Sequence, residues 1–138
     1  MAASGFLRDN EEIRPSDVFS TIQKRLSIME DCLFCRIVRG DIPSQKVYED
    51  DDVLAFRDIH PKAPVHFLII PKKHITSLAE AEPEDAPLLG KMLSLTRTLA
   101  LQEGCRNGFR VIINTGRDGG QEVGHLHIHV LGGPQPWK

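Results

Sequence analysis

The sequence has no long apolar run. No stretch approaches the roughly 20 consecutive apolar residues that a transmembrane helix requires. The first residues also lack the apolar core of a signal peptide, because Asp9, Glu11 and Glu12 interrupt them. We therefore expect a soluble cytoplasmic protein with no membrane partner.

Excess positive charge is missing as well. The 17 lysine and arginine residues are outnumbered by 19 aspartate and glutamate residues, which gives a net charge of −2. Proteins that hold nucleic acid electrostatically usually carry a basic excess, so we expect no nucleic-acid partner, although a local pocket for one phosphate is compatible with this charge. The three cysteines are an odd number, which fits a reducing compartment better than a disulfide framework.

The 138 residues suffice for one domain with an apolar core. Residues 1–14 are polar and without periodicity, so we interpret them as a disordered lead. Pro15 and Ser16 open a segment of helical periodicity that predicts a helix over residues 16–29. We divide the chain into an N-terminal extension at residues 1–28 and a single domain at residues 29–138. The apolar positions of the predicted helix are Val18, Ile22, Leu26 and Met29.

The remaining pattern predicts strands on both sides of one long helix. A short helix over residues 32–38 is followed by Gly40, and an acidic turn joins short strands at 46–49 and 53–57. Further strands are predicted at 66–71 and 109–114. The long helix begins at Pro83 and closes at Gly104. This order favours an α+β fold with an antiparallel sheet of about five strands, one long helix and one short helix.

Histidine alternates with branched aliphatic residues over residues 125–131. This period is that of a β-strand, so His125, His127 and His129 should share one face, with successive rings roughly 6.5–7 Å apart. Imidazole can act as nucleophile, general base or metal ligand near neutral pH, so the three rings could contact one anion or metal together. The alternative is a half-exposed strand in which the histidines are accidental.

A glycine-rich segment at residues 114–121 precedes the histidines directly. Its glycines let backbone amides approach and point at an anion, while Asn114 and Gln121 offer neutral donors to phosphate oxygens. On its own such a cluster would more often be an ordinary turn. Asp58 ends a strand-like run, where a carboxylate could accept two ribose hydroxyls or merely cap a turn.

Cys32 and Cys35 have the spacing of a zinc-binding pair. A tetrahedral site needs two further ligands, and the candidates are His60, His66, His74 and His125. The pair could instead be redox-active or consist of two inert buried thiols. Cys105 has no partner in the sequence and is interpreted as structural.

Taken together, these stretches resemble the histidine triad family, in its branch of histidine triad nucleotide-binding proteins, which are purine nucleoside phosphoramidases. The resemblance covers residues 31–137. It implies an antiparallel sheet of about five strands carrying a long helix, and a homodimer with a continuous sheet. The matching motifs are Cys32-Leu-Phe-Cys35, Gly40-Asp-Ile-Pro43, Ala55-Phe-Arg-Asp58-Ile59, Ala63-Pro-Val-His66-Phe-Leu-Ile-Ile-Pro71-Lys-Lys-His74, Asn114 followed by Gly120-Gln121, and His125-Leu-His-Ile-His-Val-Leu-Gly-Gly133.

The resemblance also implies roles for individual residues. His127 would be the nucleophile that attacks phosphorus, with its other ring nitrogen held by a backbone carbonyl of the Gly119–Gly120 turn. Asp58 would take the ribose hydroxyls. The remaining implied contacts are Phe34, Ile37 and Ile59 with the purine, Asn114, Gln121 and His129 with the phosphate, His66 beside them, and Cys32, Cys35, His74 and His125 with a structural zinc ion.

Two positions depart from the family pattern. Glu122 stands where many members carry a serine beside the leaving group, so we consider its carboxyl group as the proton donor. Gly124 stands where members of this branch often carry tyrosine, and the smaller residue would widen the pocket.

The implied function is hydrolysis of purine nucleoside phosphoramidates through a nucleotidyl-histidine intermediate, which releases nucleoside monophosphate. Protonation of the leaving amine and stabilisation of the phosphate oxygens would be required. Three alternatives remain open at this point. They are dinucleoside polyphosphate hydrolysis or nucleotidyl transfer, a nucleotide-binding scaffold with incidental catalysis, and a zinc hydrolase that uses the three histidines as metal ligands.

Overall fold

The computed structural model describes residues 32–134. The predicted lead and the predicted helix over residues 16–29 therefore lie outside the described residues, as do the last four positions. Within residues 32–134 no helix is both long enough and apolar enough to cross a membrane.

The first element is the short helix α1, Leu33–Val38. Cys32 caps it, since its thiol sulfur accepts from the backbone N–H of Cys35. The helix stops before Gly40, whose φ of +86° places it in the left-handed region that glycine favours. Phe34, Cys35 and Ile37 form its buried face. This confirms the predicted short helix and its stop.

A hairpin follows, formed by β1 (Lys46–Glu49) and β2 (Val53–Arg57). Asp50 closes its turn, because one carboxylate oxygen accepts from the backbone N–H groups of Asp52 and Val53 at 2.8 and 2.9 Å. The hydroxyl group of Tyr48 donates to the other oxygen at 2.6 Å. The predicted acidic hairpin is confirmed.

The sheet has five antiparallel strands in the order β1-β2-β3-β5-β4. The other three strands are β3 (Val65–Pro71), β4 (Phe109–Ile112) and β5 (Ile128–Gly132). β4 is two residues shorter than predicted. The histidine strand also starts later than residue 125, because the backbone N–H of Leu126 donates to the carbonyl of Ile75 at 2.7 Å, in the loop after β3.

The long helix α2, Ala86–Gln102, covers one face of the sheet. A 3₁₀ turn at Pro83–Asp85 with a capping box from Glu82 leads into it, and Gly104 follows its end with a φ of +95°. Apolar side chains of α2, β2, β3 and β5 form one core, and each fully buried side chain contributes about 1.5–3 kcal/mol. Its buried members include Met92, Leu99, Ala100, Val53, Ala55, Phe67, Ile69, Ile128 and Val130.

A second core lies on the opposite face of the sheet, under α1. Because side chains alternate along each strand, Leu68 and His129 are directly paired neighbours that point away from the α2 core. Since α1 has only six residues, it covers part of this face. His127 and His129 lie on the remainder of this face. The buried members of the second core are Cys32, Phe34, Cys35, Ile37, Leu54, Phe56, Leu68 and Ile70.

Candidate active site

A cavity of about 540 Å³ opens on the α1 side of the sheet. One wall is apolar and the other carries imidazoles and charged groups, a combination that suits a ligand with an apolar ring and a polar end. The apolar wall includes Leu33, Phe34, Ile37, Ile42, Phe56, Ile59, Leu68 and Val123, and the polar wall includes Asp58, Lys62, His66, Asn114, Gly120, Glu122, His127 and His129.

His127 is held in one tautomer. Its Nδ1 lies 2.7 Å from the carbonyl oxygen of His125, and since a carbonyl only accepts, Nδ1 carries the proton. Nε2 of the neutral ring therefore keeps its lone pair. The ring is 5% exposed and packs edge-on against Phe34, at 5.2 Å between ring centroids. The prediction that the Gly119–Gly120 turn supplies this carbonyl is wrong, because the alternating backbone at residues 125–127 already provides one two residues upstream.

His66 and His129 form a directed pair. The backbone N–H of Lys62 donates to Nδ1 of His66 at 3.1 Å, so the proton of the neutral His66 ring is on Nε2. This Nε2–H donates to Nδ1 of His129 at 3.0 Å. The Nε2 of His129 is consequently a donor. The chain of bonds gives His129 an N–H group to offer a ligand, while His127 offers a lone pair.

The protonation states follow from burial. Loss of water lowers the pKa of His66, although Asp58 opposes this shift. Burial, followed by repulsion from His127 and His66, lowers the pKa of His129 to about 4. Both rings are therefore neutral near pH 7, as the hydrogen-bond chain requires.

Asp58, His66 and His129 place three potential metal-binding atoms within 4.8 Å of one another. The hydrogen bond from Lys62 argues against a metal there, because it uses the only lone pair of a neutral His66 ring and leaves Nε2 protonated. The three triad histidines also do not converge on one ion, since Nδ1 of His125 faces the cysteines whereas His127 and His129 line the cavity. Their rings are closer than predicted, at 4.9 Å between the centroids of His127 and His129.

The predicted substrate contacts fall into two groups. Phe34, Ile37, Asp58, Ile59, Asn114, Gly120 and Glu122 all line the cavity with His66, His127 and His129. Gln121 does not. Its side-chain oxygen accepts from the backbone N–H of Gly116, and its nitrogen donates to the carbonyls of Thr76 and Val123 at 2.7 and 2.8 Å. The predicted phosphate contact of Gln121 is therefore corrected to a role in fixing the loop.

Two glycines of this loop are required for different reasons, close packing at Gly119 and backbone conformation at Gly120. A Cβ atom on Gly119 would lie 2.2 Å from the carbonyl oxygen of Thr115, and Gly120 has a φ of +78°. Gly124 does not line the cavity, and a Cβ atom there would meet only Thr76, at 4.0 Å. The predicted widening of the pocket at this position is therefore not found.

The two carboxylate oxygens of Asp58 make different contacts. One oxygen accepts from the backbone N–H of His60 at 2.8 Å, which is the turn-capping alternative considered from the sequence. The other oxygen lies 3.4 Å from Nε2 of His66. Sequence reasoning missed Lys62, Ile42 and Val123 as lining residues. Ile42 was within a family motif, whereas nothing in the sequence pattern distinguished Lys62.

A second cluster lies behind the histidines and consists of Cys32, Cys35, His74 and His125, the four predicted ligands. One potential ligand atom from each lies within 4.8 Å of all the others. Nδ1 of His125 is 3.3 and 3.5 Å from the two thiols, and Nδ1 of His74 is 3.2 Å from Cys35. Nε2 of His125 donates to the carbonyl of Pro71 at 2.8 Å, so its lone pair faces the sulfurs. Two thiols and two imidazole nitrogens fit the donor set of a structural zinc ion.

Sequence comparisons find known proteins to which this chain is similar. Protein HitA of Neisseria gonorrhoeae is 53% identical over 106 residues, which cover 77% of this chain and 99% of that protein. An uncharacterized HIT-like protein of Synechococcus elongatus is 55% identical over 104 residues, which cover 75% and 91% of the two chains.

Solved structures are similar as well. A HIT family hydrolase from Legionella pneumophila superposes with a TM-score of 0.74 at 49% identity, over 76% of this chain and 95% of that chain. A histidine triad protein from Clostridium difficile gives 0.73 at 50% identity, over 75% and 91%. Residues 39–135 match the model of the HIT domain family. The chain therefore belongs to the HIT domain family, the histidine triad family that its motifs resemble.

Proposed function

We propose that this protein hydrolyses purine nucleoside phosphoramidates, with His127 as the nucleophile. The observation that carries the proposal is the tautomer of His127. Its Nδ1–H is engaged by the carbonyl of His125, and the unprotonated Nε2 belongs to a ring that lines the cavity. A neutral imidazole with a free lone pair is the form that can attack phosphorus at neutral pH.

The first half of the reaction forms a covalent intermediate. Nε2 of His127 bonds to phosphorus while the P–N bond breaks, and the leaving nitrogen takes a proton and departs as an amine. Amines leave poorly without that proton, and the carboxyl group of Glu122 on the cavity wall is our candidate donor. The Nε2–H of His129 donates to the phosphate oxygens and stabilises their charge.

The second half restores the enzyme. Water attacks phosphorus and gives its proton to the carboxylate that Glu122 became in the first half, the bond between phosphorus and His127 breaks, and nucleoside monophosphate leaves. Phe34 and Ile37 hold the purine, and the oxygen of Asp58 that faces His66 takes a ribose hydroxyl. The hydrolase activity named for the Legionella relative is compatible with this scheme.

The experiment uses an adenosine phosphoramidate that carries an amine leaving group. We expect turnover by the wild type, an adenylate attached to His127 in rapidly quenched samples, and loss of turnover by at least about 10³-fold in His127→Gly. The variant should still bind adenosine monophosphate, because the ring serves covalent chemistry rather than affinity. An adduct on another side chain contradicts the proposal.

The same assay separates the alternatives. Faster cleavage of a dinucleoside polyphosphate than of the phosphoramidate would favour the polyphosphate hydrolase. Nucleotide binding by a folded protein without any turnover would favour a scaffold. Activity that survives exhaustive chelation would exclude catalysis by a metal bound to the triad.

We also propose zinc as the resident ion of the cluster formed by Cys32, Cys35, His74 and His125. Bound there, zinc would supply cross-linking between α1, the loop after β3 and the histidine segment. The cluster lies beside His127 but does not include it, so the ion has a structural role in this proposal.

A homodimer completes the proposed assembly. β4 is an edge strand, which another chain could extend into a continuous sheet. Exposed apolar side chains also occur on this strand and on α2. They are Val111, Leu93 and Leu101, at 38%, 48% and 44% exposure.

A further inference from the structure

We propose that Lys62 binds the phosphate group of the substrate through its ammonium group and selects for phosphorylated nucleosides. This inference rests on the proposed function and deepens it. Lys62 lines the cavity, and its own backbone N–H holds His66 at 3.1 Å, so the residue is anchored beside the His66–His129 pair. Its side chain is exposed to solvent at the cavity wall.

The charges around the cavity make this ammonium group distinctive. The guanidinium group of Arg57, the other cation with a permanent charge on the wall, is already paired with Glu103. Within the part of the chain that the structure describes, the ammonium group of Lys62 has neither an ion pair nor a hydrogen bond. Lys62 is thus the cation left available for an incoming anion.

The rest of the polar wall offers little positive charge to a phosphate. Asp58 is acidic, and the imidazoles of His66 and His129 are neutral near pH 7. A nucleoside phosphoramidate or monophosphate is an anion, so hydrogen bonds from neutral groups alone would have to offset its negative charge beside Asp58. One unpaired cation beside the phosphate would supply most of the missing attraction.

The electrostatic effect of Lys62 on its neighbours supports the placement. Its positive charge contributes to lowering the pKa values of both His66 and His129, so it acts on both rings that border the phosphate position. Burial is the main cause of both shifts, and the charge of Lys62 adds to it, which favours the neutral rings and the hydrogen bonds that direct the Nε2–H of His129 into the cavity.

The test compares Lys62→Gln with Lys62→Arg and with Lys46→Gln as a matched control. Lys46 is an exposed lysine of β1 that does not line the cavity, so its replacement removes the same charge elsewhere. None of the variants removes the backbone N–H group that holds His66. Calorimetry gives Kd for adenosine monophosphate and for adenosine at low and moderate salt.

We expect Lys62→Gln to raise Kd for adenosine monophosphate about 10-fold and to leave Kd for adenosine unchanged. The salt dependence of monophosphate binding should weaken in the same variant. Lys62→Arg should restore tight binding, and Lys46→Gln should behave as the wild type.

Two results would overturn the inference. One is unchanged monophosphate affinity in Lys62→Gln. The other is an equal loss for adenosine and adenosine monophosphate, which would indicate a disturbed loop rather than a lost phosphate contact. This binding test is independent of the activity test. A wild type that binds the monophosphate but does not cleave phosphoramidates would refute the proposed function, and the Kd values of the Lys62 variants would still decide the role of Lys62.

Discussion

At the scale of single residues, the site works by fixing where protons sit. Two backbone groups do this, the carbonyl of His125 for His127 and the N–H of Lys62 for His66. Backbone groups cannot change their protonation state, so they define each tautomer over a wide pH range. In the neutral rings, the result is a lone pair on Nε2 of His127 and, through His66, a donor on Nε2 of His129.

This arrangement predicts a loss of stability in mild acid. Burial lowers the pKa of His129 from 6.5 to about 4, and lowers that of His66 as well. Between pH 6.5 and about 4 the unfolded chain takes up protons that the folded chain excludes. Stability is therefore complete above pH 6.5 and falls as the pH approaches 4. Because His129 is only partly buried, we expect about 1 kcal/mol from it.

Thermal unfolding across this pH window checks the prediction. His129→Asn should show a shallower fall in Tm than the wild type. Lysines lower the pKa values of Glu49 and Asp85, that of Glu49 to about 2. These carboxylates therefore change the stability of the protein mainly at lower pH. An identical slope in the wild type and His129→Asn would contradict the assignment to this ring.

At the scale of elements, the cysteine cluster joins three segments that are distant in sequence. α1, the loop after β3 and the segment before β5 meet at four side chains. α1 also supplies Phe34, which packs against His127 and lines the cavity. The position of this helix should therefore depend on the cluster.

We expect Cys35→Ser to lower both zinc content and Tm, the latter by several degrees, because one proposed ligand is lost and α1 is less firmly held. Metal analysis and calorimetry measure the two effects. Cys105→Ser is the matched control, since Cys105 is buried but lies outside the cluster. Zinc content that is unchanged in Cys35→Ser would refute the ligand set.

The glycine-rich loop provides a second prediction at this scale. Gly119→Ala would place a Cβ atom 2.2 Å from the carbonyl of Thr115, so the turn must open and we expect a cost of about 1–3 kcal/mol together with reduced kcat/KM. Gly90→Ala makes the same chemical change in the middle of α2, where nothing lies within 4 Å.

Gly90→Ala should stabilise the protein by about 0.5–1 kcal/mol through higher helix propensity. Chemical denaturation measures both variants. Equal effects of the two substitutions would show that close packing at Gly119 is not the reason for glycine there.

At the scale of the whole molecule, the fold follows from the sequence more completely than the site does. Alternating apolar residues, the acidic hairpin turn and the stops at Gly40 and Gly104 were sufficient to predict the five strands and two helices. These signals are local, and burial of one face per element leaves few arrangements open.

The errors concern contacts with backbone groups. The carbonyl that holds His127 is only two residues upstream, and the order of residue types does not indicate which carbonyl an imidazole will contact. The bonds from Gln121 to Thr76 and from Leu126 to Ile75 join segments far apart in the sequence, so their proximity is set by tertiary packing. Lys62 was missed for the same reason. Its importance comes from the pairing of Arg57 with Glu103, which no periodicity reveals.

Assembly is the prediction that belongs to this scale. If chains pair through β4 and α2, Leu93→Glu should shift the protein from dimer to monomer, because a carboxylate would be buried in an apolar contact. Light scattering after size-exclusion chromatography measures the mass. Leu78→Glu is the control, as Leu78 is similarly exposed, at 40%, on a different element. A wild type that is monomeric at all concentrations would refute the dimer.

The double engagement of His125 has a genetic consequence. Its ring contacts the cysteines, whereas its peptide oxygen orients His127. A substitution at this position changes the first contact but leaves a backbone carbonyl for the second. His125→Asn should remove the imidazole contact with the cysteines and keep the carbonyl that holds His127. A lineage could accordingly discard the cysteines and the imidazole at position 125 and still inherit a His127 ring held in the same tautomer.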